Sequence, residues 1–218
     1  MDRHTLGRPP ERNRIAGRAI GGILTRAPWL WPILRGSMRS FFDGSAEGWD
    51  DRTGSRSPEY LAPLSAAATH VSPAPERILD VGTGTGEGAL LLAREFPVAS
   101  VRGIDLSEAM IKQAKRKVGL DPAGRVAFRV GDASELPWEA DSFDLVSQLN
   151  MPPFFDEIAR VLRPGGFYIA AASLGSRTPF YTPPSVLERG LQAHGIKPIT
   201  SDEVAVGSYF VARHSEAS

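Results

Sequence analysis

The chain has 218 residues, with 25 basic and 25 acidic residues and no cysteine. The balanced charge points to no particular class of charged partner, and the lack of cysteine excludes disulfides, thiolate metal sites and cysteine nucleophiles. A hydrophobic content of 42% at this length indicates an ordinary globular protein, with one well-packed domain and an additional segment. No cluster of His, Asp and Glu has metal-ligand spacing, so no metal is expected.

Residues 1–57 are interpreted as a basic, aromatic-containing N-terminal arm and linker. Residues 1–42 contain eight arginines against two acids, a net charge of +6, together with Trp29, Trp31, Phe41 and Phe42. Arginines interrupt every apolar run, which argues against a membrane span and a signal peptide. We expect an arm that packs on the domain or is partly disordered, and that forms part of the wall or lid of a substrate pocket. Contact with a membrane or lipid-like substrate, and contact with nucleic acid, are the alternatives. Residues 43–57 are rich in Gly, Ser and Asp and are predicted to be a linker.

Residues 58–218 are predicted to form a single α/β domain. A helix over 58–70 precedes an alternation of strands and helices, which predicts an open, mostly parallel sheet with ligands at the carboxyl ends of its strands. A further helix and two strands joined at Gly207 predict an antiparallel hairpin at the end of the chain. Strands are predicted at 77–81, 101–105, 126–130, 143–148, 167–172, 199–206 and 208–213, and helices at 87–96, 107–118, 154–162 and 186–194.

The most informative segment is Arg-Ile-Leu-Asp-Val-Gly-Thr-Gly-Thr-Gly, residues 77–86. A short apolar strand enters a turn with glycines at 82, 84 and 86, and a helix follows. Glycine accepts positive φ and lets a ligand approach the backbone, so this turn predicts a site for a nucleotide-like ligand.

Acidic residues follow the next two predicted strands. Asp105 ends the second strand, 19 residues after Gly86, where a carboxylate can accept hydrogen bonds from two ribose hydroxyls. Asp132 follows the third strand, where a carboxylate can accept a hydrogen bond from the amino group of adenine. A fourth motif, Phe143 to Val146, leads to Gln148 and Asn150 and then to Arg-Pro-Gly-Gly at 163–166.

In this order and spacing, the four motifs resemble those of class I S-adenosylmethionine-dependent methyltransferases, especially the small-molecule branch related to quinone-biosynthesis enzymes. The resemblance covers about residues 77–173. It implies a Rossmann-like sheet of seven strands with an antiparallel last strand and helices on both faces. It also implies S-adenosyl-L-methionine as cofactor and S-adenosyl-L-homocysteine as product. The implied cofactor-binding residues are Asp80, Gly82, Thr83, Gly84, Gly86, Asp105, Leu106, Asp132, Ala133 and Gln148.

A dinucleotide is the rival ligand, because Gly84 to Ala89 also satisfies the pattern G-x-G-x-x-A. Asp80 argues against it, since its carboxylate would lie close to a pyrophosphate and repel it. A sulfonium ligand is cationic and carries no phosphate, so it tolerates Asp80 better.

Methyl transfer from a sulfonium depends mainly on proximity and orientation, so the chain need contain no catalytic base. If a base is required, His70, Tyr181 and His194 are the candidates. Asn150, Arg177, Phe180 and Tyr181 are candidate substrate contacts. Asn150-Met-Pro-Pro-Phe154 resembles the Asn/Asp-Pro-Pro-Tyr/Phe signature of amino-group methyltransferases, but the inserted Met151 breaks its geometry, which favours a turn.

The resulting prediction is a cytoplasmic methyltransferase that acts on a small, apolar or aromatic acceptor, with no nucleic-acid partner and with peripheral membrane contact through the arm as an option. Two alternatives stay open. One is an RNA or protein methyltransferase that uses the basic arm, and the other is a protein that binds S-adenosylmethionine without transferring its methyl group. The acceptor and the oligomeric state are not predicted by any motif.

Overall fold

The computed structural model describes residues 11–120 and 124–216, so the first ten residues of the predicted arm lie outside the described part. The strands are β1 (Arg77–Val81), β2 (Ser100–Asp105), β3 (Val126–Val130), β4 (Phe143–Leu149), β5 (Leu162–Ala172), β6 (Ile196–Val204) and β7 (Gly207–His214). The α-helices are α1 (Glu11–Arg26), α2 (Trp31–Ser45), α3 (Trp49–Thr53), α4 (Pro58–Ala68), α5 (Glu87–Glu95), α6 (Glu108–Arg116), α7 (Phe155–Val161) and α8 (Pro184–Gln192).

All seven strands form one sheet in the order β3-β2-β1-β4-β5-β7-β6. Strands β1 to β5 pair in parallel, and β7 is antiparallel to both β5 and β6. Only β7 therefore runs against the others, which confirms the predicted α/β fold with an antiparallel last strand. The order of the strands along the sheet changes direction between β1 and β4. We call the side of the sheet that holds the carboxyl ends of the parallel strands the carboxyl edge.

Helices cover both faces of this sheet, as predicted. One hydrophobic cluster lies between the sheet and α4, α5 and α6, and includes Leu64, Leu92 and Ile111. A second lies on the other face with α7 and α8, and includes Ile158 and Leu187. The second cluster also contains Leu24 and Trp31 of the arm, so the arm packs into the core of the domain.

Most predicted boundaries agree with the structure to within a few residues, and Ser107 caps α6 by accepting a hydrogen bond from Met110 N at 3.1 Å. Two boundaries require correction. Strand β5 begins at Leu162 rather than 167, because Leu162 pairs with Phe143 across a register shift. The hairpin reverses at Ala205–Val206, where Ala205 has φ 54°, and Gly207 already belongs to β7.

Residues 43–57, predicted to be a linker, are partly helical. Residues 43–45 belong to α2, and residues 49–53 form α3, which is flanked by the positive-φ residues Gly48 and Gly54. The many Gly, Ser and Asp residues here act as helix ends and as partners for the domain, described below.

Candidate functional site

The glycine turn is fixed to the end of the neighbouring strand. The backbone N–H groups of Gly82 and Thr83 both donate to the carbonyl of Ile104 on β2, at 2.8 and 3.0 Å. The Gly86 N–H donates to the Thr83 carbonyl at 2.8 Å and closes the turn before α5. The turn therefore keeps its shape through its own backbone and β2.

The three glycines of the turn have different surroundings, although all have positive φ. A Cβ on Gly84 would meet no atom within 4 Å, so the backbone there is open. A Cβ on Gly86 would lie 2.7 Å from the ring of Phe128, and Gly86 therefore packs into the core. A Cβ on Gly82 would lie 2.0 Å from Met151 Sδ, so the Met151 side chain lies directly on this glycine.

Asp80 lies beneath the turn. Its carboxylate accepts hydrogen bonds from Thr83 Oγ at 2.6 Å and Ser147 Oγ at 2.8 Å, and the residue is 2% exposed. Burial raises its pKa to about 6; the nearby Asp105 adds to the rise, and the two hydroxyl hydrogen bonds oppose it. In this arrangement Asp80 and Thr83 hold the turn together from below.

Asp105 connects the turn to the start of α6. Its Oδ2 accepts a hydrogen bond from Gly84 N and its Oδ1 accepts one from Ser107 N, each at 2.9 Å. Burial raises its pKa, and these backbone hydrogen bonds act in the opposite direction. The backbone N–H of Leu106 makes a smaller contribution of the same kind, and the acceptor positions that remain on the carboxylate can serve a ligand that lies along Gly84.

Asp132 lies beyond the end of β3 and is bonded to the arm. Trp31 Nε1 donates to both of its carboxylate oxygens, at 2.7 and 2.9 Å, and Ser134 N and Oγ donate to Oδ1. Ala133 is buried beside it in the same hydrophobic cluster as Trp31, and Leu106 packs against that cluster. The third predicted carboxylate is therefore at the carboxyl edge, with an indole of the arm against it.

Gln148 lies near the end of β4, buried in the sheet, and its amide is already engaged. Its Oε1 accepts a hydrogen bond from Tyr168 Oη at 2.6 Å, and its Nε2 donates to the Pro152 carbonyl at 3.4 Å. Asn150 is engaged as well. Its Nδ2 donates to Tyr60 Oη and Ser173 Oγ at 2.7 and 3.0 Å, and its Oδ1 accepts from Ser173 N at 2.8 Å. Both amides thus hold the backbone and side chains around the carboxyl edge.

A small cavity of about 30 Å³ lies beside Met151, at the ends of β5 and β7. Most of its walls are apolar, and they include Met151, Ala170, Phe180, Tyr181, Leu187 and Phe210. Because Met151 contacts Gly82 and also lines this cavity, one side chain separates the glycine turn from the cavity. Arg177 lies half-buried in the preceding short turn, Gly175–Arg177, and does not line the cavity.

Of the three candidate bases, only Tyr181 lines the cavity. His70 Nε2 lies 3.0 Å from Tyr209 Oη at the end of α4. His194 Nε2 lies 3.2 Å from Asp156 Oδ1, and it precedes Ile196, which pairs with the last residue of β7 at the opposite edge of the sheet. The structure therefore does not bring His194 to the glycine turn. In the described ranges no His, Asp and Glu residues are grouped to hold a metal ion.

Sequence reasoning missed the acids by which the arm is attached. Asp43 at the end of α2 accepts from Ser107 Oγ at 2.6 Å and Ala109 N at 3.2 Å, at the start of α6. Asp50 of α3 accepts from Thr85 Oγ at 2.5 Å, and Lys117 Nζ lies 2.5 Å from Asp50 and 2.7 Å from Glu87. Burial alone would raise the pKa of Asp50, but hydrogen bonds from Lys117, Thr85 and Ser55 lower it overall. The contacts between the arm and the domain join residues 35 to 67 positions apart, so no local pattern could have indicated them.

The arm also lies against the loop after β5. A Cβ on Gly17 would lie 2.7 Å from Pro179, Arg18 donates to the Ser176 carbonyl, and the rings of Phe42 and Phe180 lie 6.2 Å apart. Helices α1 to α3 therefore extend from the cavity wall to the glycine turn.

Residues 78–166 match the family model described as "Methyltransferase domain". The chain is 40% identical over 121 residues to a phthiotriol/phenolphthiotriol dimycocerosates methyltransferase of Mycobacterium ulcerans, covering 51% of this chain and 42% of that one. It is 41% identical over 101 residues to a fatty-acid O-methyltransferase of Mycolicibacterium smegmatis, covering 43% and 36% of the two chains. The match to the Mycobacterium ulcerans protein thus spans less than half of that protein's length.

The fold is similar to that of a SAM-dependent methyltransferase from Aquifex aeolicus, with a TM-score of 0.60 and 20% identity over 72% of this chain and 94% of that chain. At this identity the similarity concerns the fold alone. It agrees with the sheet order and the antiparallel β7 described above.

Proposed function

We propose that the chain is a class I S-adenosylmethionine-dependent methyltransferase, which transfers a methyl group from this donor to a small apolar or aromatic acceptor. The observation that carries the proposal is the open backbone at Gly84, with Asp105 beside it and Asp132 at the next strand end. The donor is a cation without phosphate, and this acidic edge suits a cation better than it suits a pyrophosphate.

The residues in and around the turn have the chemical groups that the donor requires. Gly84 leaves room for a ribose against its backbone, and the remaining acceptor positions of Asp105 suit the ribose hydroxyls. Asp132 suits the amino edge of adenine, with Leu106 and Ala133 as apolar walls. Asp80, Thr83 and Gly86 act indirectly in this proposal. Asp80 and Thr83 stabilise the turn through their hydrogen bond, and Gly86 packs the turn against Phe128.

The bound donor supplies an electrophilic methyl group on sulfur. The chain's own contribution is to orient the acceptor and exclude water at the boundary between the turn and the cavity, where Met151 lies. Tyr181 lines that cavity, and in its phenolate form it is the proposed group to accept a proton, becoming the phenol, when the acceptor must lose one. Gln148 and Asn150 position this region through the hydrogen bonds that they already make.

The walls of the cavity favour an apolar acceptor. They are formed mainly by alanine, methionine, leucine and aromatic side chains, and at about 30 Å³ the cavity takes a small apolar part of an acceptor by burial of apolar surface. Two relatives are named for the methylation of a dimycocerosate lipid and of a fatty acid. We therefore place the acceptor among lipid-like molecules with an apolar chain or ring near the reacting atom.

The outer surface of the arm supports delivery of such an acceptor from an anionic lipid surface. Trp29 and Ile33 are 72% and 75% exposed, and Ile15 and Phe41 are exposed with them. Residues 12–42 contain six arginines and no acid. Apolar side chains among cations are typical of helices that lie in a membrane interface. In the described part of the chain, no helix has both the length and the apolar character to cross a bilayer.

The test is the transfer of a labelled methyl group from S-adenosylmethionine to a panel of fatty acids, lipid alcohols and quinols. We expect label in an organic-extractable product, and less of it with Tyr181→Phe for acceptors that must lose a proton. Label in RNA or protein instead would replace the proposed acceptor class. Donor binding without transfer to any acceptor would support a binding protein.

Vesicle sedimentation tests the lipid surface separately. We expect the protein to sediment with phosphatidylglycerol vesicles and not with phosphatidylcholine vesicles, and Ile33→Glu to weaken sedimentation. Equal sedimentation with both vesicle types would contradict the role of the arginines.

A further inference from the structure

Trp31 is held at the donor site by both its ring and its N–H group. The ring is 7% exposed and packs edge-on against Phe154, with the centroids 5.3 Å apart and the planes at 67°. Its Nε1 donates to both oxygens of Asp132. An N–H group on a flat heteroaromatic ring, facing a carboxylate at the end of β3, is also what an adenine would present there.

Met151 also covers part of the carboxyl edge. Its Sδ lies on Gly82, where a Cβ would be only 2.0 Å away. The thioether and the indole therefore cover two parts of the carboxyl edge to which the proposed function assigns the donor. Gly84, two residues after Gly82 in the turn, stays open.

The bond between Trp31 and Asp132 can be exchanged without releasing the whole arm. Asp43 of α2 accepts a hydrogen bond from Ser107 at the start of α6, and Asp50 of α3 contacts Thr85 of the turn and Lys117. Arg35 of α2 also lies 3.5 Å from Asp132 and is part of the segment that would move. Trp31 is the first residue of α2, directly after the short 3₁₀ turn Pro28–Leu30 that joins α1 to α2. A displacement confined to this junction would remove the indole and leave the carboxyl-terminal attachments in place.

We propose that Trp31 is a gate that competes with adenine for Asp132, so that the donor binds only when the α1–α2 junction moves the indole away. This inference rests on the proposed function, since it assigns Asp132 to the donor. The site then alternates between a form in which Trp31 occupies Asp132 and a form in which the donor does. The apparent affinity for the donor is then the intrinsic affinity reduced by the fraction of open molecules.

The direct test is the binding of S-adenosylhomocysteine, which has the adenosine of the donor but no methyl group to transfer. Trp31→Phe keeps a ring against Phe154 and removes the N–H donor. The matched control is Trp138→Phe, which makes the same change at a ring that packs edge-on against Phe143, with the centroids 5.3 Å apart. By isothermal titration we expect Trp31→Phe to bind about tenfold more tightly than the wild type, because a hydrogen bond to a carboxylate no longer favours the closed form. The control should bind like the wild type.

Hydrogen exchange of the wild-type protein tests the movement without any variant. On addition of S-adenosylhomocysteine we expect faster exchange at residues 27–35 and slower exchange at residues 82–88. Slower exchange in both segments would show an arm that closes over the ligand, and would overturn the gate while leaving the proposed function standing. Equal affinity of Trp31→Phe and wild type would also overturn the gate. Absence of binding in all three proteins would overturn the proposed function and, with it, the gate.

Discussion

The substitution Asp105→Asn separates the binding role of this carboxylate from its structural role. In the structure, Asp105 accepts from Gly84 N with one oxygen and from Ser107 N with the other. Asparagine has a single carbonyl oxygen, so its NH₂ group must face one of these N–H groups. Losing a hydrogen bond to a charged acceptor costs about 1.5–3 kcal/mol, and relief of the buried charge offsets part of this. We therefore expect a loss of about 1–2 kcal/mol in the free energy of unfolding.

The effect on ligand binding should be larger than the effect on stability. If the remaining acceptor positions of Asp105 hold two ribose hydroxyls, loss of the charge removes about 3 kcal/mol, or about a hundredfold in affinity. Urea denaturation gives the stability, and isothermal titration with S-adenosylhomocysteine gives the affinity. Asp141→Asn is the matched control, since it makes the same change at an exposed residue whose positive φ asparagine tolerates. Wild-type affinity in a folded Asp105→Asn protein would refute the ribose assignment.

Two further predictions concern the turn. Burial raises the pKa of Asp80 to about 6 from an ordinary 3.8, so its contribution to stability is fully present below about pH 4 and is lost as the pH rises through about 6. The stability of the wild type relative to Asp80→Asn should then fall by about 3 kcal/mol between pH 4 and pH 7 in urea denaturation, and a constant difference would contradict the shift. Gly86→Ala should destabilise the fold, because its Cβ would meet the ring of Phe128 at 2.7 Å. Gly84→Ala, with open space at its Cβ, should keep more of the stability and lose affinity for S-adenosylhomocysteine. A Gly84→Ala protein that is less stable than Gly86→Ala would contradict these roles.

The sheet and the turn could be predicted because their signals are local. Apolar strands of about five residues, alternating with helices, indicate a parallel sheet without any knowledge of the partners. The antiparallel hairpin at the end follows from two strand patterns that lie only a few residues apart. The register shift at Leu162 could not be predicted in this way, since it depends on how β4 and β5 meet.

The functions of individual residues in the turn were harder to predict than the turn itself. Asp80 and Gly86 belong to the same motif as Gly84, yet the structure directs Asp80 to Thr83 and Ser147 and packs Gly86 on Phe128. Spacing shows that a glycine or an acid is present, but the side toward which it faces depends on the packing of the neighbouring strands and helices.

The individual contacts of the arm could not be predicted from its sequence. Its composition favoured a basic, aromatic segment that packs on the domain, and left open which residues it contacts. The bond between Trp31 and Asp132 joins residues 101 positions apart, and Asp43 and Asp50 lie in a stretch whose composition indicated a linker. Such contacts form only when the carboxyl edge exists to receive them.

The central claim, that the glycine turn binds a methyl donor, is tested most directly by titrating the wild-type protein with S-adenosylhomocysteine and, separately, with NAD. We predict one site per chain for S-adenosylhomocysteine with an affinity in the micromolar range, and no heat of binding for NAD. Binding of NAD, or no binding of S-adenosylhomocysteine, would contradict it.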